Sequence, residues 1–328
     1  MDGHTLAYSA YARDSQIHTQ SSSGGIFSLI AEQILNENGV VYGAAFDDNW
    51  NVCHLRVNNL ADLHLLRGSK YMQSNLGDTF KSIRKDLKAG LKVLFCGTPC
   101  QVNGLLSYVG KIWSKELLTV DFACHGVPST KIWDKYIGDK SKIKNVSFRN
   151  KKYGWKAYSV KIDYEDNICS SIFTRNHYMQ TFIRDFTLRP SCYQCKAKGV
   201  NRPSDITLAD FWGVSSCDPK MNHLLGVSLL LVHTEKGQSL LKNLTTEDIV
   251  MHEENLEQAI RMNPSIVASS SKPEFRDDLM ANIESMSFEQ LYRKYVSCSW
   301  KNELKSYIKS CAKVCLYYLN RLGITNKN

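Results

Sequence analysis

The chain has 328 residues, 43% of them hydrophobic and 22% charged, the balance of an ordinary soluble globular protein with one large domain or two modest ones. Its net charge of +9 is dispersed, with only short clusters such as Lys151-Lys152. This suits a mildly basic surface, an anionic cofactor or an acidic electron-transfer partner better than a nucleic-acid groove. No apolar run reaches membrane-spanning length, residues 1–23 lack the apolar core of a signal peptide, and eleven cysteines without an export signal predict reduced thiols in the cytoplasm.

In chain order, residues 1–20 read as a polar lead-in. Ser21-Ser-Ser-Gly-Gly25 then precedes a helix over 26–38, with apolar residues at helical spacing. A buried strand over 39–46 and an alternating one over 51–57 form a hairpin across 47–50. A short helix at 62–66, a polar loop at 68–74 and an amphipathic helix at 79–89 closed by Gly90 follow. The clearest unit comes next: a strand over 92–96, the loop Gly97-Thr-Pro-Cys100, and a helix over 101–109 that Pro99 suits as a first turn. A second such unit has a strand at 117–122, a loop at 123–128 and a helix at 129–137.

This alternation predicts a mixed α/β fold, with a layered mixed sheet and flanking helices. Sites in open α/β sheets form at the carboxyl ends of strands, where Cys100 and Cys124 lie. Residues 143–173 read as a short antiparallel insertion and 176–187 as a helix. Strands at 206–209, 226–233 and 249–252 and a helix at 235–244 follow the Cys-x-x-Cys loop. From 256 the chain reads as helical, ending in a helix over 301–322.

Cys192-Tyr-Gln-Cys195 can offer two thiols to one soft metal centre, and such centres usually take four ligands. Cys100 and Cys124 are the best candidates for the others. Zinc would usually bring a second Cys-x-x-Cys or a close Cys/His pair; single thiols in separate loops fit a cubane iron–sulfur cluster at least as well. A thioredoxin-like pair would open a helix after a strand, and this pair sits between loops. A chance pair of buried cysteines is the bland alternative.

Cys100 at a helix start favours a thiolate, whereas Cys96 ends a strand and suits core packing. Cys124 beside His125 suggests a nucleophile and base, but adjacent residues point in different directions. Cys53, Cys169, Cys298, Cys311 and Cys315 read as structural; Cys217 is near enough to Cys195 to compete as a ligand. Ser22, Ser23, Gly24 and Gly25 resemble a phosphate cradle without the full pattern of one, and a plain helix cap explains them nearly as well.

Five motifs in order resemble the coenzyme F420 hydrogenase/dehydrogenase beta-subunit family, from about residue 20 to about residue 260. They are Ser22-Ser-Gly-Gly25, Ser69-Lys-Tyr-Met-Gln-Ser74, Phe95-Cys-Gly-Thr-Pro-Cys-Gln101, Asp121-Phe-Ala-Cys-His-Gly-Val-Pro128, and Cys192-x-x-Cys195 with Ser204-Asp-Ile-x-x-x-Asp-Phe-Trp-Gly213. Members carry FAD beside an iron–sulfur cluster and pass electrons between a hydride carrier and one-electron centres. Relatives include 7-hydroxymethyl chlorophyll a reductase and proteins of bacterial polysaccharide gene clusters. The resemblance implies Cys100, Cys124, Cys192 and Cys195 as ligands of a [4Fe-4S] cluster. It implies Ser22, Ser23, Gly24, Gly25, Lys70, Tyr71 and Thr98 as neighbours of FAD, and a ferredoxin-like partner. No residue is assigned as the catalytic one.

The implied layout is a flavin-binding region at 21–140, a Cys-x-x-Cys region at 141–260 and a helical extension at 261–328. Many members begin with a ferredoxin-like segment rich in cysteine, but here none precedes Cys53. Either those clusters are absent, or a separate ferredoxin supplies them, or the N-terminus is truncated. Two rival readings are a zinc-stabilised scaffold in a surface-glycan pathway and a transferase dependent on Cys124. The apolar stripe of the last helix suits core or partner packing, with a membrane-surface helix as the second reading.

Overall fold

The computed structural model describes residues 5–113, 116–297 and 300–322. Its strands are β1 (Leu6–Ala12), β2 (Val40–Phe46), β3 (Val52–Val57), β4 (Val93–Cys96), β5 (Leu117–Phe122), β6 (Ile143–Asn150), β7 (Ser159–Tyr164), β8 (Ile168–Ile172), β9 (Ile206–Asp210), β10 (Ser228–Val232) and β11 (Ile249–Glu254). Its α-helices are α1 (Ser15–Gln20), α2 (Ile26–Asn36), α3 (Thr79–Lys88), α4 (Pro99–Val109), α5 (Thr130–Ile137), α6 (His177–Ile183), α7 (Val214–Cys217), α8 (Glu235–Lys242), α9 (Leu256–Ile260), α10 (Arg276–Ala281), α11 (Phe288–Leu291) and α12 (Trp300–Arg321). The fold is mixed α/β, as the alternation of elements predicts. The chain divides into two compact units. The first takes the chain up to residue 67, then 74–125 and 195–269; the second takes 68–73, 126–194 and the chain from 270.

The first unit is built on an eight-stranded sheet in the order β11-β1-β10-β9-β5-β4-β2-β3. β2, β4, β5 and β9 run parallel, and the remaining pairings are antiparallel. Apolar residues on successive positions point to opposite faces, so a continuous apolar strand needs cover on both. Leu94 packs with Ile30 and Ile34 of α2 on one face. Val93 and Phe95 pack with Ile83 of α3 and Val102 and Leu105 of α4 on the other. Ile30, Leu94 and Phe95 are wholly buried. Each such side chain contributes roughly 1.5–3 kcal/mol of transfer free energy.

The stretch read as a polar lead-in contains β1, which pairs with β10 from Leu6↔Val232 to Ala10↔Ser228 and with β11 from Ala7↔Glu254 to Ala12↔Ile249. Its buried apolar side chains are alanines, so no aliphatic run marks it. Its partners lie at the far end of the domain, and long-range pairing decides its structure.

The second unit holds the three-stranded antiparallel sheet β6-β7-β8 expected from residues 143–173. Its core is aromatic. Trp133 of α5 packs against Phe148 and Tyr178 with ring centroids 5.1 Å apart in each case. The buried Tyr178 hydroxyl donates to the Tyr71 carbonyl at 2.6 Å. Helix α6 ends at Ile183, earlier than its periodicity suggests, because Asp185 takes a left-handed conformation at φ 67°.

Candidate redox site

The loop after β4 carries Thr98 and Cys100. Thr98 is the N-cap of α4; its N–H donates to the Gln101 Oε1 at 2.9 Å, and Pro99 opens the helix. The Thr98 hydroxyl lies 3.1 Å from the Cys100 Sγ, and Cys100 is exposed. Thr98 and Cys100 are therefore one local unit, fixed by the cap.

The loop after β5 carries Cys124. Its carbonyl accepts a hydrogen bond from the Lys198 ammonium, which also donates to the Ser265 carbonyl at 2.7 Å. Lys198 follows Cys195 by three residues, and the Cys195 N–H donates to Ser269 Oγ at 3.0 Å. The segments holding Cys124 and Cys195 are thus joined by one lysine and pinned to residues 265–269.

Beneath them lies a buried polar network. Arg202 and Asp121 form an ion pair at 3.0 Å, with side chains 2% and 1% exposed. Arg202 also donates to the carbonyls of Gly199 at 3.0 Å, Ile266 at 2.9 Å and Phe122 at 3.3 Å. Asp121 further accepts from Ser204 Oγ at 3.1 Å and Thr207 Oγ1 at 2.5 Å. Burial pushes the Asp121 carboxyl above the usual range, and Arg202, Thr207 and Ser204 draw it back.

Thr207 gives its proton to Asp121, so its oxygen accepts from His233 Nε2 at 2.9 Å. His233 Nδ1 then accepts from Thr5 Oγ1 at 3.1 Å. Burial, with Arg202 nearby, lowers the His233 pKa to about 4, so the ring is neutral at physiological pH. A second buried acid, Asp205, holds the start of β9 to β5 through Thr119: its Oδ2 accepts from the Thr119 N–H at 2.8 Å and Oγ1 at 2.9 Å. Sequence reasoning missed Arg202, Lys198, Thr207 and His233. The available signal was an arginine set between the Cys-x-x-Cys and Ser204-Asp205, both parts of the fifth motif.

The Ser22–Gly25 turn is stitched to the sheet. Gly24 N–H donates to Ser228 Oγ at 3.0 Å, its carbonyl accepts from Ala12 at 2.7 Å, and Ser23 Oγ donates to the Val227 carbonyl at 2.8 Å. A Cβ on Gly24 would stand 2.3 Å from the Ala10 carbonyl oxygen, so the glycine serves close backbone approach. Gly25, at φ 89°, caps α2.

Cys192, Lys70 and Tyr71 belong to the second unit. Cys192 lies in a 3₁₀ turn over Pro190–Gln194, with its N–H donating to the Arg189 carbonyl at 2.9 Å. Tyr193 ties that turn down through a 2.5 Å hydrogen bond to the Asp185 carbonyl. Lys70 Nζ reaches the Gly68 carbonyl at 3.3 Å, and the Tyr71 ring packs on Phe182 with centroids 4.9 Å apart. Among the described residues, no group of three or more His, Cys, Asp or Glu side chains is arranged to hold a metal ion. Cys53, Cys96, Cys169, Cys217, Cys311 and Cys315 carry no disulfide, and neither do the four candidate ligands. Burial raises the Cys217 pKa, which disfavours its thiolate as a competing ligand. Cys298 lies outside the described residues.

Two family models match the chain. One describes the N-terminal part of the coenzyme F420 hydrogenase/dehydrogenase beta subunit and matches residues 7–81; the other describes its C-terminal part and matches residues 90–258. The chain belongs to the coenzyme F420 hydrogenase/dehydrogenase beta-subunit family. Ser22–Gly25, Lys70 and Tyr71 fall in the first match; Thr98 and all four candidate cysteines fall in the second. This family membership indicates an electron-transfer oxidoreductase role. Among solved structures, a chain of the F420-reducing [NiFe] hydrogenase complex from Methanosarcina barkeri, studied by xenon derivatization, is similar in fold. Its TM-score is 0.53 at 16% identity, covering 89% of this chain and 91% of that one. No curated protein matches the chain.

Proposed function

We propose that this family member is a cytoplasmic iron–sulfur flavoprotein. It would hold a [4Fe-4S] cluster on Cys100, Cys124, Cys192 and Cys195, with FAD beside it. It would move electrons between a hydride-carrying small molecule and a one-electron protein such as ferredoxin. The observation that carries the reading is the family match over residues 90–258, which contains all four thiols. An electron-transfer role also calls for a docked protein partner, and a surface-polysaccharide pathway is one setting in which it would serve.

The donor set fits the cluster in kind: four cysteines, none in a disulfide. The fit of the flavin to the Ser22–Gly25 turn is poorer, because Gly24 N–H and Ser23 Oγ are already committed to the sheet. No step is therefore assigned to that turn. When bound, a flavin accepts two electrons as a hydride and releases them singly to a cluster.

The chain's own contribution is placement and electrostatics. The Thr98 hydroxyl beside the Cys100 Sγ would stabilise charge on that sulfur, which raises a cluster's reduction potential. Lys198 fixes the Cys124 loop and brings a positive charge to it. The Asp121–Arg202 pair keeps the loops after β5 and before β9 in one arrangement, limiting reorganisation on electron transfer.

The test is turnover. Protein reconstituted anaerobically with iron, sulfide and FAD should carry electrons from reduced ferredoxin to a hydride acceptor, with F420, NAD and NADP tried in turn. A fully loaded protein that transfers nothing to any of them would sink the reading.

A further inference from the structure

Helix α12 lies beyond both family matches, the second of which ends at residue 258. Its 22 residues make a rod about 33 Å long. One side is seated on the second unit. Ser310 is 3% exposed and hydrogen-bonded to the Thr174 hydroxyl, and Arg175 lies 4.9 Å over the Tyr307 ring. Another side is open. Leu304, Ile308, Cys311, Cys315, Leu319 and Leu322 recur at helical spacing and form a single stripe. Leu304, Ile308, Leu319 and Leu322 are 48%, 58%, 39% and 71% exposed.

Charge decides what covers this stripe. Lys305 and Lys309 flank it, while Lys313 turns its ammonium onto the Phe173 ring at 5.1 Å on the seated side. The whole helix holds five lysines and arginines against a single glutamate. A second copy packed stripe to stripe would set lysine rows beside one another with almost no acid to meet them. An anionic lipid surface answers both features: its acyl boundary takes the stripe, and its phosphates take the ammonium groups. Among the described residues, no helix is long and apolar enough to cross a membrane, so the geometry is in-plane rather than spanning.

We propose that α12 docks the protein onto an anionic lipid surface, lying in the interface with its leucine stripe down and its lysines at headgroup level. This docking uses no residue of the redox site and is independent of the chemistry assigned there.

The test uses the full chain with vesicles of phosphatidylcholine alone or mixed with phosphatidylglycerol, scored by co-sedimentation. Binding is expected to the mixed vesicles only, falling as salt rises. Lys305→Gln with Lys309→Gln should weaken it roughly 30-fold, about fivefold per lysine. Ile308→Glu with Leu319→Glu should abolish it; both sites are exposed, so the circular dichroism spectrum and urea midpoint should not move. Failure to bind mixed vesicles at low salt would overturn the proposal, as would binding indifferent to the two lysines. A concentration-dependent dimer that Ile308→Glu with Leu319→Glu disperses would also overturn it, assigning the stripe to a second copy.

Discussion

Replacing Arg202 with leucine tests whether the buried network holds the redox loops. The substitution leaves Asp121 without its counter-charge, its side chain 1% exposed, and strips donors from the carbonyls of Gly199, Ile266 and Phe122. Removing one partner of a buried pair costs about 3–5 kcal/mol, mostly from the orphaned charge. The lost carbonyl bonds add less than their separate values, because the loosened loop admits water. With a urea dependence of roughly 2–3 kcal/mol per molar, the midpoint of the first unit's transition should fall by about 1–2 M. Urea unfolding followed by circular dichroism measures it. Adding Asp121→Asn should recover part of the loss, since an amide needs no counter-charge: its oxygen still accepts from Thr207, and its NH2 group can donate to the Ser204 hydroxyl. A loss below about 1 kcal/mol, or no recovery in the double variant, would refute the reasoning.

His233 should make stability depend on pH. Its folded pKa of about 4 lies below the unfolded value of 6.5. The contribution is present above pH 6.5 and is lost as pH falls towards 4, about 3 kcal/mol in all. Asp121, raised by burial, acts in the opposite sense, so the readout is the loss of the His233 slope in His233→Gln. Gly24→Ala should destabilise by about 3 kcal/mol in thermal or urea unfolding, because its Cβ would meet the Ala10 carbonyl and Ser228. Serine at Cys100, Cys124, Cys192 or Cys195 should each remove most bound iron, while Cys96→Ser and Cys217→Ser should keep it, as measured by metal analysis.

What was legible in the sequence was local. The helix after Gly25, the strand–loop–helix unit around Cys100 and the antiparallel insertion all follow from periodicity and caps within a few residues. What was hidden depends on distant partners. β1 is a strand because Leu6–Ala12 meets β10 and β11, and alanines carry little apolar signal of their own. The region from residue 256 reads as helical, and up to residue 291 it is divided into short helices, with Pro264 and Pro273 in the connections. At the site, motif order marks the cysteines, but Arg202 acquires its role only when β5 and β9 lie side by side. The Ser22–Gly25 turn looks like a ligand cradle in sequence. Its Gly24 also serves the close approach of β1 and β10, seen only once those strands are paired.

The most direct test of the central claim is iron, acid-labile sulfide and flavin analysis of protein purified anaerobically and reconstituted. The account predicts about four iron and four sulfide per chain together with one flavin. Folded protein that takes up zinc alone, or neither iron nor flavin, would contradict it.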